Sequence, residues 1–179
     1  MNIQSFIKLL LVLVFFSHCT NSYKKNRDFI LESGLYNIYS FQNHLVISTK
    51  IFSDDSTIIQ VCKLPSSNEK CLWEIESVYA KYFKIKYAST NKFLTIINGS
   101  HDKLSPVIKL MRETGEDNQL WIIHKYQNEK FKIINKSNKN CLYLPELEKD
   151  ALSVEFRLCN NKPNEFWYIK SCTDALDIE

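Results

Sequence analysis

The chain has 179 residues, 45% of them hydrophobic and 24% charged, with a formal net charge of +3 and only three glycines. That length suits one domain with appendages, and the apolar content is too high for disorder. Gly34, Gly99 and Gly115 lie far apart, which excludes a dinucleotide fingerprint, a Walker loop and a nucleophile elbow.

In chain order, the first feature is the apolar run Leu9 to Phe16, preceded by Lys8 and followed by Ser17, His18, Cys19, Thr20, Asn21 and Ser22. Eight apolar residues are too few to span a bilayer, which needs about 20. The run has the size and flanks of a secretory h-region. Residues 1–22 are therefore expected to be a cleaved signal peptide, and the mature protein secreted and not membrane-spanning. Cleavage after Ser22 and cleavage after Cys19 both remain open, and lipid anchoring through Cys19 is the minor alternative. Residues 23–32 follow as an N-terminal arm carrying Lys24, Lys25 and Arg27. No clustered basic face of the kind nucleic acid requires can be written.

From residue 33 onward the chain repeats. Trp73, Trp121 and Trp167 are separated by 48 and 46 residues, each inside a similar apolar phrase. Tyr36-x-Ile38 returns as Phe83-x-Ile85 and Phe131-x-Ile133. Leu45-x-Ile47 returns as Leu94-x-Ile96 and Leu142-x-Leu144, and Ile59-x-Val61 as Ile108-x-Leu110 and Phe156-x-Leu158. These landmarks recur at offsets of 47 to 49 residues, which defines an internal threefold repeat. Apolar residues two apart are the signature of half-buried strands. Turn-forming clusters separate them: Ser53-Asp54-Asp55-Ser56, Ser66-Ser67-Asn68, Asn98-Gly99-Ser100 and Asn160-Asn161-Lys162-Pro163. The pattern predicts an all-β domain over 33–172, with repeats of about 33–79, 80–127 and 128–172. Each repeat carries four strands, and an acidic tail follows at 173–179. The tryptophans are expected as core anchors.

Three repeats of four strands with a late tryptophan resemble a β-trefoil, and Asn118-Gln119-Leu120-Trp121 resembles the QxW phrase of the ricin-B-type lectins. The third repeat has Glu165-x-Trp167 and the first Cys71-x-Trp73. The resemblance implies a disulfide between Cys141 and Cys159, worth about 3 kcal/mol by loop-closure entropy. Phe93 and Met111 replace that bridge in the second repeat, and His44 faces Cys62 in the first. Cys71 is then one partner for Cys62, and Cys172 is the rival.

Ricin-B-type sites place an aspartate on the second strand, an aromatic ring on the third, and an Asn beside the QxW phrase. By position, the aspartate place holds Val46, Thr95 and Tyr143. The aromatic place falls at Cys62, Met111 and either Arg157 or Cys159. Asn118 with Gln119, and Asn164 beside Glu165, are the surviving polar elements. Without a carboxylate or a stacking ring, galactose binding is expected to be weak or absent. The ligand-binding candidates are Asn118, Gln119, Thr95, Asn164 and Tyr143. The expected partner is a glycan or a cell-surface glycoprotein.

Neither catalysis nor a metal or other cofactor is expected. His44, His101 and His124 have no ligand-like spacing with cysteine or acid, and a Cys62–His44 pair reads better as an oxidised cysteine beside a surface histidine. Three functions follow: a secreted lectin-like recognition module for adhesion, a delivery subunit of a multichain toxin, and a trefoil protease inhibitor. None of the loops, including 98–106, carries a reactive-site sequence that singles out the last.

Overall fold

The computed structural model describes residues 31–52, 57–65, 68–79, 81–97, 107–146 and 153–172. The expected signal peptide, most of the arm, the tail and the clusters 53–56, 66–67 and 98–100 lie outside them.

Twelve strands follow one another: β1 (Gly34–Ser40), β2 (Val46–Ile51), β3 (Thr57–Cys62), β4 (Trp73–Tyr79), β5 (Tyr82–Tyr87) and β6 (Lys92–Ile97). Then come β7 (Val107–Met111), β8 (Trp121–Lys125), β9 (Phe131–Asn135), β10 (Asn140–Tyr143), β11 (Glu155–Leu158) and β12 (Trp167–Ser171). All pairings are antiparallel. β1 joins β4, β4 joins β5, β5 joins β8, β8 joins β9, β9 joins β12, and β12 returns to β1. Those six strands close a barrel, which leaves no free edge among them. The remaining strands form three hairpins, β2–β3, β6–β7 and β10–β11. The fold is a β-trefoil.

Short 3-10 turns at Asn68–Cys71, Asp117–Gln119 and Pro163–Glu165 lead into β4, β8 and β12. No helix among the described residues is long and apolar enough to cross a membrane.

The alternation read in the sequence fills the interior. Ile38, Ile75, Ile85, Ile96, Ile133 and Leu142 are buried, as are all three tryptophans. Truncating one of those indoles to alanine would cost about 3–5 kcal/mol. Each indole N–H also makes the same bond: Trp73 Nε1 donates to Ile47 O at 3.0 Å, Trp121 to Leu94 O at 3.1 Å, and Trp167 to Leu142 O at 3.0 Å. The partners identify Ile47, Leu94 and Leu142 as equivalent.

Two register expectations are thereby corrected. In the first repeat the inward pair begins at Ile47, not Leu45, so Val46 faces Cys62 in place of His44. The position equivalent to Thr95 and Tyr143 becomes Ser48, not Val46. In the third repeat Leu142 pairs with Phe156, as Ile47 pairs with Val61 and Leu94 with Leu110. Phe156 therefore takes the place of Val61 and Leu110. Leu158, expected to point inward, is 76% exposed. The physical reason is common to both cases. A slip of two residues along a strand keeps every side chain on its face, so an alternating pattern cannot resolve it.

Candidate functional site

After the third strand of each repeat the chain leaves the sheet and returns through a 3-10 turn to the tryptophan. The residue two before each tryptophan is Cys71, Gln119 or Glu165, and all three are buried. This position ties the excursion to the scaffold.

In the second repeat, the Gln119 amide donates to Thr95 Oγ1 and to Arg112 O, both at 2.8 Å, and accepts from the Thr114 N–H at 2.7 Å. Thr95 is fully buried and donates to Phe93 O at 2.8 Å. Asn118 accepts from the Thr114 hydroxyl at 3.1 Å, and its carbonyl accepts from Asn135 Nδ2. These candidate ligand groups are therefore engaged in holding the turn.

In the third repeat the anchor is charged. The Glu165 carboxylate accepts the N–H groups of Asn160 and Asn161 at 2.9–3.0 Å. It faces Lys132 Nζ at 3.2 Å and Arg157 Nε at 3.3 Å. Lys132 is itself buried, so this is an ion pair with its charge-assisted bonds largely made. Burial pushes the Glu165 carboxyl up, but the Asn160 N–H and the Lys132 and Arg157 cations outweigh it and hold it below the usual carboxylate range.

Arg157 also donates to Asn164 Oδ1 at 2.7 Å, and its guanidinium lies 4.2 Å from the centre of the Tyr143 ring. Tyr143 donates to Glu155 at 2.7 Å. Burial, reinforced by the Glu155 carboxylate, pushes its phenol up to about 12. Thr95 and Gln119 thus meet directly, whereas Tyr143 and Asn164 are joined through Arg157, in a different repeat.

The first repeat uses thiols. Cys71 is buried, and its carbonyl accepts from Asn37 Nδ2 at 2.9 Å. Burial, with Cys62 beside it, raises the Cys71 thiol to about 12. The bridge expected between Cys62 and Cys71 is not made in this structure, and Cys172 is a thiol as well. Cys141 and Cys159 are joined by a disulfide.

The most exposed part of the third excursion is the run from Leu158 to Pro163. Beneath it lie buried Asn164 and Glu165. Sequence reasoning missed the prominence of Leu158 and the role of Arg157. The Asn160-Asn161-Lys162-Pro163 cluster, one residue beyond Leu158, was the available signal that the strand ends there. Among the described residues, no group of histidine, cysteine and acid side chains could hold a metal ion.

A family model described as peptidase inhibitor I66 matches residues 29–171. No curated protein matches the chain in sequence. Among solved structures, the chain is similar to the designed threefold-symmetric protein ThreeFoil, with 16% identity, 76% of this chain and 97% of that one covered, and a TM-score of 0.66. It is also similar to a Polyporus squamosus lectin bound to a sialylated influenza-binding epitope, with 21% identity and a TM-score of 0.65. There 80% of this chain matches 50% of that one, so the chain spans half of the lectin's length. A salivary protein from Culex quiquefasciatus, of a cysteine- and tryptophan-rich family, matches at 16% identity over 80% of this chain and 96% of that one, with a TM-score of 0.62. These structural likenesses concern the fold alone.

Proposed function

The chain belongs to the peptidase inhibitor I66 family, and from that premise we propose that it is a secreted, non-catalytic trefoil that binds and blocks a peptidase. The observation that carries this reading is the family match itself, which runs through all three repeats over residues 29–171. Two features support it. The groups at the ricin-B-type sugar positions serve the scaffold: Thr95 and Gln119 are bonded to each other and buried, and Asn164 is held by Arg157. The Cys141–Cys159 disulfide suits an oxidising, extracellular setting, as does the signal peptide proposed over residues 1–22.

The test is titration of the mature protein against a panel of serine, cysteine, aspartic and metallopeptidases. Stoichiometric loss of activity of at least one enzyme is the expected result. Full activity of every enzyme at micromolar protein contradicts the reading.

Glycan or glycoprotein recognition is the second reading. It is favoured by the aromatic and cationic pair Tyr143 and Arg157 on the third repeat, where a sugar ring could stack and an acidic sugar could pair. A glycan array with wild type and Tyr143→Ala separates the two: retention of a glycan by wild type alone supports this second reading.

A further inference from the structure

We propose that the loop from Leu158 to Pro163 is the segment that enters the peptidase, and that Leu158 fills an apolar specificity pocket there. This rests on the inhibitor reading.

Three independent observations converge on this loop. The first is exposure. Leu158 is 76% exposed, the highest value among the exposed large hydrophobic residues described. A solitary exposed leucine needs no explanation, but this one stands at the start of six consecutive exposed residues, Leu158 to Pro163.

The second is backbone form. β11 is extended and pairs with β10 along one edge; no described strand pairs along its other edge. An extended segment with an open edge can be received by another protein through main-chain hydrogen bonds, with alternate side chains entering pockets. Leu158 is its last residue.

The third is rigidity. Cys159 is covalently tied to buried Cys141. The next two N–H groups, of Asn160 and Asn161, are fixed by Glu165. Lys132 Nζ donates to Asn161 Oδ1, Lys162 N–H to Asn160 Oδ1 at 3.1 Å, and Pro163 opens the 3-10 turn. A loop already held in one form loses little conformational freedom on binding, which is the main route to affinity for a loop of this size.

The equivalent excursion of the second repeat differs. Its exposed residues include Glu113, Glu116 and Asp117, which are acidic, and no disulfide crosses it. Among the described excursions, only the third combines a covalent tie, a buried ionic clamp and a large exposed apolar side chain. The partner that fits is a peptidase whose specificity pocket accepts leucine, of chymotrypsin-like or elastase-like preference.

The test compares wild type with Leu158→Gly and Leu158→Lys against chymotrypsin-like, elastase-like and trypsin-like enzymes, with Lys162→Ala as a control. Leu158 lies on the surface, so these variants keep the fold, as circular dichroism would verify. Wild type is expected to inhibit an enzyme with an apolar pocket. Leu158→Gly should raise the inhibition constant about 100-fold, Leu158→Lys should transfer inhibition to the trypsin-like enzyme, and Lys162→Ala should change little. Inhibition unaffected by Leu158→Gly overturns the loop assignment and leaves the inhibitor reading intact. Inhibition of the trypsin-like enzyme alone, abolished by Lys162→Ala, overturns the assignment of Leu158 to the pocket and puts Lys162 of the same loop there. Failure of wild type to inhibit any peptidase in the panel overturns both.

Discussion

Gln119 and Glu165 occupy the same place in successive repeats and solve the same problem with opposite chemistry. Each lies two residues before a core tryptophan, buried, and accepts backbone N–H groups from the excursion above it. The amide of Gln119 also donates, to Thr95 and Arg112, so its lock is neutral and self-contained. The carboxylate of Glu165 can only accept, and it requires the cations of Lys132 and Arg157. The neutral lock demands nothing further of its surroundings. The ionic lock draws cations from two other strands, Lys132 of β9 and Arg157 of β11, and becomes dependent on pH. The difference teaches that a threefold scaffold can be kept while a single repeat is specialised.

The largest break in this comparison should come from Glu165→Ala. It strands the buried Lys132 ammonium and removes the acceptor of two backbone N–H groups. A loss of about 3–5 kcal/mol is expected in urea unfolding. Removing the covalent tie with Cys141→Ala and Cys159→Ala together should cost about 3 kcal/mol, read in the same experiment. Gln119→Ala should cost less, about 1–3 kcal/mol, because only neutral groups lose their partner. The reciprocal swaps sharpen the contrast. Gln at position 165 would turn amide hydrogens toward the Asn160 and Asn161 donors or leave the cations unpaired, and Glu at position 119 would face the Arg112 carbonyl. Neither swap is conservative, and each should lower the thermal midpoint.

The smallest effect is the acid dependence. The folded-state pKa of Glu165 is held below its unfolded value of about 4.3. Its contribution is therefore complete above that unfolded value and is lost as pH falls through the folded one. Unfolding midpoints measured from pH 6 down to pH 3 should fall more steeply for wild type than for Glu165→Gln. Parallel curves would mean that the carboxylate contributes nothing as an ion.

The fold was legible in the sequence because tryptophan spacing and period-two alternation survive divergence. Trp73, Trp121 and Trp167 mark the same barrel position in all three repeats, each bonded to a second-strand carbonyl. The site was legible only in part. Leu45 and Leu158 were misplaced by two residues, since such a slip preserves facing. Only the indole bonds and cross-strand pairs resolve it. Asn118, Gln119, Thr95, Asn164 and Tyr143 could be picked out by position. Their engagement with one another could not, because it depends on Arg112, Thr114 and Arg157, which no repeat pattern singles out. Glu165 and Lys132 are 33 residues apart in the chain, and their meeting is a property of the closed barrel.

Amide hydrogen exchange, on the protein alone and with an inhibited peptidase, tests the central claim most directly: that the third repeat carries a pre-formed recognition loop. Slow exchange is expected at Asn160 and Asn161 in the free protein, as at the Thr114 N–H held by Gln119, with further protection across Leu158 to Lys162 in the complex. Rapid exchange at Asn160 and Asn161, or a binding footprint confined to other loops, would contradict it.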